Sequence, residues 1–538
     1  MRKILLIPTL SAVLAAPMVS MVGCGQQPEP TPPEPVHPSD CLTFTALTAA
    51  SIHLWNYYIK PDADFLPDLC YSVNDGPTKK YKYYGTYGEE IIIGKGSKIK
   101  FWGNNPNGFS FFDGGINAVW NGFKIEGLVN VSGNIMSLID NGKCETDTIP
   151  CPGCFQELFS ECGVINAKDL YLPSNLKKYC YFEMFEGCHG LMTAPNLNAT
   201  TLQPYCYSSM FSQCASLTRA PELKSIDLAE GCYYGMFSEC YSLTTSPVLP
   251  ASELEPYCYS SMFSLCVGLT QAPELKSIDL AEGCYLGMFT RCDSLTAAPN
   301  LPATGLEPYC YAYMFKDCRF ICQPGLISAT SLDDYSCYEM FANCISMNLS
   351  TEGDESKKFF TCPSTDTLES PVENMFNETH SLFISPEATQ TIYWSEPDPA
   401  EIIKVNKITK IENYDCLQSW MYPIKTNFKY NFEIDLTNWE CERSSIDHLS
   451  FIIGGADYQI GQVHITDDFE FEIGGTKLTG ELKGGTNIDF AADEVNKIYA
   501  AMEAGTKTIT GHVTTSSETI EPFVPYRFLF FNGRTSCL

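Results

Sequence analysis

A phenylalanine returns every 26 residues through the middle of this chain, as Phe159, Phe185, Phe211, Phe237, Phe263, Phe289, Phe315 and Phe341. Such a period constrains the fold more than any local propensity. One copy cannot bury an apolar face alone, but a stack of copies can, so the expected architecture is a solenoid. Met184, Met210, Met236, Met262, Met288, Met314 and Met340 precede the phenylalanines, with Leu158 in the first copy. Leu191, Leu217, Leu243, Leu269 and Leu295 make a third column, so a continuous core is expected along the stack. Tyr207 to Phe211 is long enough for one helical or 3₁₀ turn. A strand is expected at Leu217 to Ala220, cut short by the proline column Pro195, Pro221, Pro247, Pro273 and Pro299, because proline donates nothing to a β-ladder. The result would be a narrow parallel sheet with copies ~4.8 Å apart.

The order Cys-x-x-Leu-Thr-x-Ala-Pro-x-Leu, then Cys-Tyr-x-x-Met-Phe-x-x-Cys, resembles the BspA-like leucine-rich repeats of bacterial surface proteins. Cys214 to Leu217 and Met210-Phe211 sit where that class has its Cys-x-x-Leu and Ala-Phe steps, and the resemblance covers residues 143–380. The chain departs from the class in its 26-residue period and two cysteines per copy. The resemblance implies a curved leucine-rich-repeat-like solenoid displayed outside the cell, and adhesion or macromolecular binding. Ala220 to Tyr233 recurs from Ala272, 52 residues on, so a two-copy unit has been duplicated.

Residues 1–24 read as a targeting segment: Arg2 and Lys3, then an apolar run, then Met21-Val22-Gly23-Cys24, which resembles a lipobox. The expectation is an exported lipoprotein acylated at Cys24 at the cell surface or outer envelope; an uncleaved membrane helix is the other reading. Residues 25–40 form a proline-rich tether. Residues 41–143 carry short β-type runs between turn signals and are expected to be β-sandwich-like, of the kind that precedes such repeats in related surface proteins. Trp55, Tyr57, Tyr58, Tyr83, Tyr84, Tyr87 and Trp102 could stack on sugars there or serve as core and cross-strand pairs. Residues 144–380 are the cysteine-rich repeat, with Met375-Phe376 in a degenerate terminal cap. Residues 381–538 read as mainly β (α+β), with strands at Phe428–Ile434, Phe451–Ile453, Phe469–Ile473 and Arg527–Phe531. One helix is expected from Asp489, its cap, to Ala504, with Phe490, Ile498, Tyr499 and Met502 on one face and Gly505 ending it. The whole is read as multidomain.

A net charge of -30 argues against nucleic acid, because phosphate recognition needs clustered Lys and Arg. The chain has 26 cysteines, and those of the repeat fall in pairs: Cys154/Cys162, Cys180/Cys188, Cys206/Cys214, Cys232/Cys240, Cys258/Cys266, Cys284/Cys292, Cys310/Cys318 and Cys337/Cys344. Export favours disulfides, within or between copies; a reduced, buried ladder of thiols is the alternative. Cys337 stands one place late, with Ser336 where the cysteine would be. Cys151-Pro-Gly-Cys154 has redox or zinc spacing, but Cys154 belongs to the repeat and no strand-then-helix context surrounds the motif.

No metal-ligand spacing, nucleophile elbow, Walker loop or dinucleotide fingerprint is present, so no cofactor and no enzyme is expected. The candidate binding face is the outward side of the expected strands: Thr218, Arg219, Thr244, Thr245, Thr270, Gln271 and Thr296, with Glu222 and Glu274 beside them. Its partner would be an extracellular protein or a glycan. The competing readings are a passive stalk displaying a glycan-binding terminal domain, and a hydrolase within 381–538.

Overall fold

The computed structural model describes residues 40–58, 66–84, 87–112, 114–115, 118–344, 346–365, 367–377, 379, 386–395, 405–412, 426–436, 448–452, 464–483 and 487–517. Cys24, the proline-rich tether and the strand expected at Arg527–Phe531 lie outside them. The described chain is mainly β.

Near the N-terminus, two sheets face each other. One runs in the order Val164–Tyr171, Val129–Asn134, Leu42–Ala46, Lys98–Trp102, Cys70–Val73 and Lys79–Lys80. The other runs Tyr83–Tyr84, Tyr87–Gly88, Ala50–Tyr58, Ala118–Glu126 and Phe111–Phe112, with Ile91–Ile93 also paired to Ala50–Tyr58. Alternating apolar residues of these strands fill the space between, where Phe44 meets Phe101, Phe123 and Phe159 at ring centroid distances of 5.8, 5.2 and 5.8 Å. The buried core runs on across the boundary expected after residue 143. Val164–Tyr171, from the first copy, joins the first sheet by parallel pairing to Val129–Asn134, and Phe155 and Phe159 share one buried cluster with Phe44.

From Gly153 to Asn343 the expected short turn is replaced by a longer device. In the copy at Tyr205, the N–H groups of Tyr205, Tyr207, Ser209, Phe211 and Gln213 donate to carbonyls 25 residues ahead, at 2.8–3.1 Å. The residues between them, Cys206, Ser208, Met210, Ser212 and Cys214, donate three residues back, at 3.0–3.3 Å. An α-helix would keep every N–H for itself; here alternate donors leave for the next copy. Every fourth residue is left-handed, with φ of 54° at Tyr205, 52° at Ser209 and 59° at Gln213, the third position of a type II turn each time. The outcome is a ribbon of overlapping β-turns, hydrogen-bonded copy to copy.

Side chains on the inner edge of the ribbon stack in register. Phe211, Phe237, Phe263 and Phe289 lie 5.7–5.8 Å apart and within 10° of parallel. Tyr207, Tyr233, Tyr259 and Tyr285 form a second buried stack at 5.8–5.9 Å. The expected strand at Leu217–Ala220 does not form. Only single parallel bridges appear, such as Arg219 to Thr245 and Ala297 to Gln323. The proline column explains this, together with Leu217 N–H turning back to Cys214 rather than across to a neighbour.

After Cys344, Met375-Phe376 takes the next place: Phe341 N–H donates to the Met375 carbonyl at 2.8 Å, and Phe376 stacks on Phe341 at 6.0 Å. A three-stranded sheet of Asn348–Ser350, Thr391–Ser395 and Lys358–Thr361 carries Phe359, whose ring meets both phenylalanines edge-on. Further on, a five-stranded antiparallel sheet runs Val405–Glu412, Thr426–Asp435, Thr508–Ser517, His464–Ile473 and Thr476–Leu478; a smaller one runs His448–Ile452, Asn487–Ala491 and Glu481–Lys483. The helix is Ala492–Glu503, ending before Gly505 at φ 92° as expected. Asp489 and Phe490 are strand residues paired to Ser450 and Leu449, so Asp489 is not the cap.

Candidate functional site

The proposed face is at the surface and its members adjoin. Thr218, Arg219, Thr245 and Gln271 are exposed, while Thr244, Thr270 and Thr296 are half-buried. Arg219 bridges to Thr245, and the Thr270 hydroxyl donates to the Thr244 carbonyl at 3.2 Å. Glu222 and Glu274 are exposed and each pairs with a lysine of its own copy, Lys224 at 3.7 Å and Lys276 at 3.1 Å. Ion pairs this exposed add little to stability. Val248 stands in the same column between these glutamates and is 74% exposed.

Of the residues weighed as a sugar platform, all but Trp102 lie on Ala50–Tyr58, Tyr83–Tyr84 and Tyr87–Gly88 of one sheet, with Trp55 paired to Tyr87. Trp55 and Trp102 lie on strands of different sheets. Lys124 sits over the Trp55 ring at 5.5 Å, and the Tyr83 hydroxyl donates to the Pro67 carbonyl at 2.8 Å. Only Tyr84, 66% exposed, is an outlying large ring among those whose side chains are described.

The structure holds the repeat cysteines as free, buried thiols, the arrangement of the reduced ladder. The second column has a defined task. Cys188, Cys214, Cys240, Cys266, Cys292, Cys318 and Cys344 each donate an S–H to a phenylalanine carbonyl 29 residues back, at 2.8–3.2 Å. A disulfide would remove that donor. Burial pushes the thiols up, to about 12 for Cys180, Cys232 and Cys284. In the eighth copy Ser336 takes the cysteine place, as its register implied, and Cys337 that of the buried tyrosine, since Tyr311 N–H donates to the Ser336 carbonyl at 2.9 Å. With folded protein at neutral pH, iodoacetamide is expected to leave the repeat thiols unmodified. In denaturant without reductant all should be alkylated, and denaturing reductant should release no further thiols. Further release would mean that the cysteines are bridged.

Cys151-Pro-Gly-Cys154 is a turn with Gly153 at φ 63°. Its Cys151 thiol donates to the Ser110 carbonyl at 3.1 Å, and Phe112 N–H donates to Pro152 at 3.1 Å, joining the first copy to the adjacent sheet. The hydrogen bond from Cys154 holds the Cys151 thiol below its ordinary range, while burial raises Cys154. Among the described residues no group of three or more His, Cys, Asp or Glu is placed to hold a metal ion.

One surface escaped the sequence reading. On the outer edge of the ribbon, Tyr179, Tyr205, Tyr257, Tyr309 and Tyr335 share a column with Gly231 and Gly283. Tyr179 stacks on Tyr205 at 5.2 Å and Tyr309 on Tyr335 at 5.0 Å. The Tyr205 hydroxyl donates to Glu230 at 2.8 Å and that of Tyr257 to Glu282 at 2.5 Å; Tyr335 does the same to Glu369. The signal was present in the alternation of Pro-Tyr with Glu-Gly at the head of successive copies.

No family model, no curated protein and no solved structure matches this chain.

Proposed function

We propose that residues 144–380 are a leucine-rich-repeat-like solenoid of a multidomain, lipid-anchored bacterial surface protein, and that it binds an extracellular macromolecule rather than catalysing a reaction. The observation that carries this reading is the unbroken register of inter-copy hydrogen bonds from Gly153 to Asn343, which repeats one outer surface at a fixed spacing. Such a surface suits an extended partner better than a small substrate. The lipobox-like Met21 to Cys24 motif supports anchoring. In cells, Cys24→Ala should move the protein out of the membrane fraction. On the anchored protein, lysine at Thr218, Thr245 and Gln271 should lower attachment to immobilised matrix protein with folding unchanged. Full attachment by that variant removes the threonine strip, and retention of Cys24→Ala in membranes removes the lipid anchor.

A further inference from the structure

The outer tyrosine column is built unlike the threonine strip. Its rings are half-buried, with Tyr309 37% exposed, and the hydroxyls of Tyr205, Tyr257 and Tyr335 donate to carboxylates of the following copy. Glu230, Glu282 and Glu369 are exposed, and none has an ion-pair partner among the described residues. A phenol that donates to a carboxylate gains electron density, and so does its ring. Rings of this kind attract cations, and the adjacent carboxylate adds a direct charge.

The chain itself supplies a second, independent indication. At the first ring of the column, Lys178 places its ammonium over Tyr179, 4.9 Å from the centroid. The position before the ring is Pro204 at Tyr205, Pro256 at Tyr257 and Pro308 at Tyr309. The cation is thus built in where the column starts and is absent at the later rings, which follow a proline or, at Tyr335, Asp334. Gly231 and Gly283 lie between the rings, and the Tyr205 and Tyr257 rings lie over them, where a side chain would collide.

We infer that the ribbon formed by Tyr205, Tyr257, Tyr309 and Tyr335 with Glu230, Glu282 and Glu369 docks an extended, lysine- or arginine-bearing polypeptide segment of a partner protein. The inference rests on the binding role proposed above and adds the tyrosine edge to the threonine strip as a second contact surface. Each tyrosine–glutamate pair takes one basic side chain; the Tyr257 pair lies two copies beyond the Tyr205 pair, and the Tyr335 pair three copies further. The chain's net charge of -30 repels acidic partners and draws basic ones toward every face; the ribbon decides where they settle.

The test uses the full chain and a fluorescein-labelled deca-arginine peptide in about 0.15 M salt, where bulk attraction is screened beyond roughly 8 Å. Glu230→Gln with Glu282→Gln keeps an acceptor for each phenol and should weaken binding about tenfold or more. Glu352→Gln with Glu387→Gln removes the same charge from exposed sites outside both surfaces and should leave affinity within about twofold. Tyr257→Leu with Tyr309→Leu should match the first pair, thermal unfolding being checked in parallel. Equal weakening by both glutamine pairs would mean attraction by net charge alone and would overturn the assignment. So would absence of binding, or binding insensitive to the ribbon pair. Loss of matrix attachment by the threonine-strip lysine variant with peptide binding intact would place attachment on that strip and leave the ribbon standing. Peptide affinity indifferent to the ribbon, with attachment intact, would sink the ribbon and spare the broader role.

Discussion

Gly231→Ala and Gly283→Ala are each expected to cost about 2–5 kcal/mol. Two effects add. Both glycines are left-handed, at φ 55° and 56°, where an L side chain costs about 1–2 kcal/mol. A Cβ would also stand 2.3 Å from Cε1 of Tyr205 at the first site and 2.4 Å from Cε1 of Tyr257 at the second. Neither ring can retreat freely, since each hydroxyl is tied to a glutamate at its far end; overpacking of this kind typically costs 1–3 kcal/mol. Gly235→Ala separates the terms, because Gly235 has φ 57° but its nearest neighbour would be the Ser209 hydroxyl at 3.3 Å. It should show the backbone cost alone. Tyr205→Ser in the Gly231→Ala background should recover the steric part in a double-mutant cycle by urea unfolding. Additivity of those two changes would refute the ring–glycine contact.

That contact explains why the duplicated unit is 52 residues and not 26. A tyrosine-bearing copy leans on a glycine-bearing one, so the two are complementary halves. The repeat itself, its columns and its terminal Met375-Phe376 were legible, because hydrophobic periodicity reports burial directly. The turn ribbon was not. Its left-handed positions include Glu183, Leu265, Arg291 and Tyr313, residues no turn rule keyed to Gly or Asn singles out. Their conformation is imposed by hydrogen bonds to a copy 25 residues away. The cysteines were legible as columns but not as donors, since composition cannot say whether a sulfur faces another sulfur or a phenylalanine carbonyl. The helix start failed for a similar reason: Asp489 has capping chemistry, but pairing with Ser450 claims it first. The candidate face was placed correctly at the surface, whereas the tyrosine edge needed the ring geometry to be seen.

The second large effect is a loss of stability as pH rises from about 4 to 8, centred on carboxyls held inside the stack. Asp293 is 6% exposed and occupies a column otherwise filled by Ala215, Tyr241 and Val267, with Arg319 next. Burial raises it from 3.8 to about 7, outweighing the opposing charges of Arg319 and Arg291, with Asp317 adding to the rise. Burial, with Glu186 and Glu157 nearby, takes Glu183 to about 8. Burial and the surrounding carboxylates bring Glu186 to about 7 against the pull of Lys124. The sign follows from linkage. A raised acid is favoured neutral in the folded state, so its contribution is whole below the unfolded pKa and is lost as pH climbs through the folded one. For Asp293 alone the loss is on the order of 4 kcal/mol, complete above about pH 7. Thermal unfolding should therefore show its highest midpoint at or below about pH 4 and a steady fall to pH 8. Asn at this position imitates the neutral acid, so Asp293→Asn should match the parent at about pH 3.5 and exceed it at pH 8.5. A variant less stable than the parent at pH 8.5 would show that Arg319 depends on the carboxylate more than burial opposes it, and the pair would then be a net stabilising ion pair.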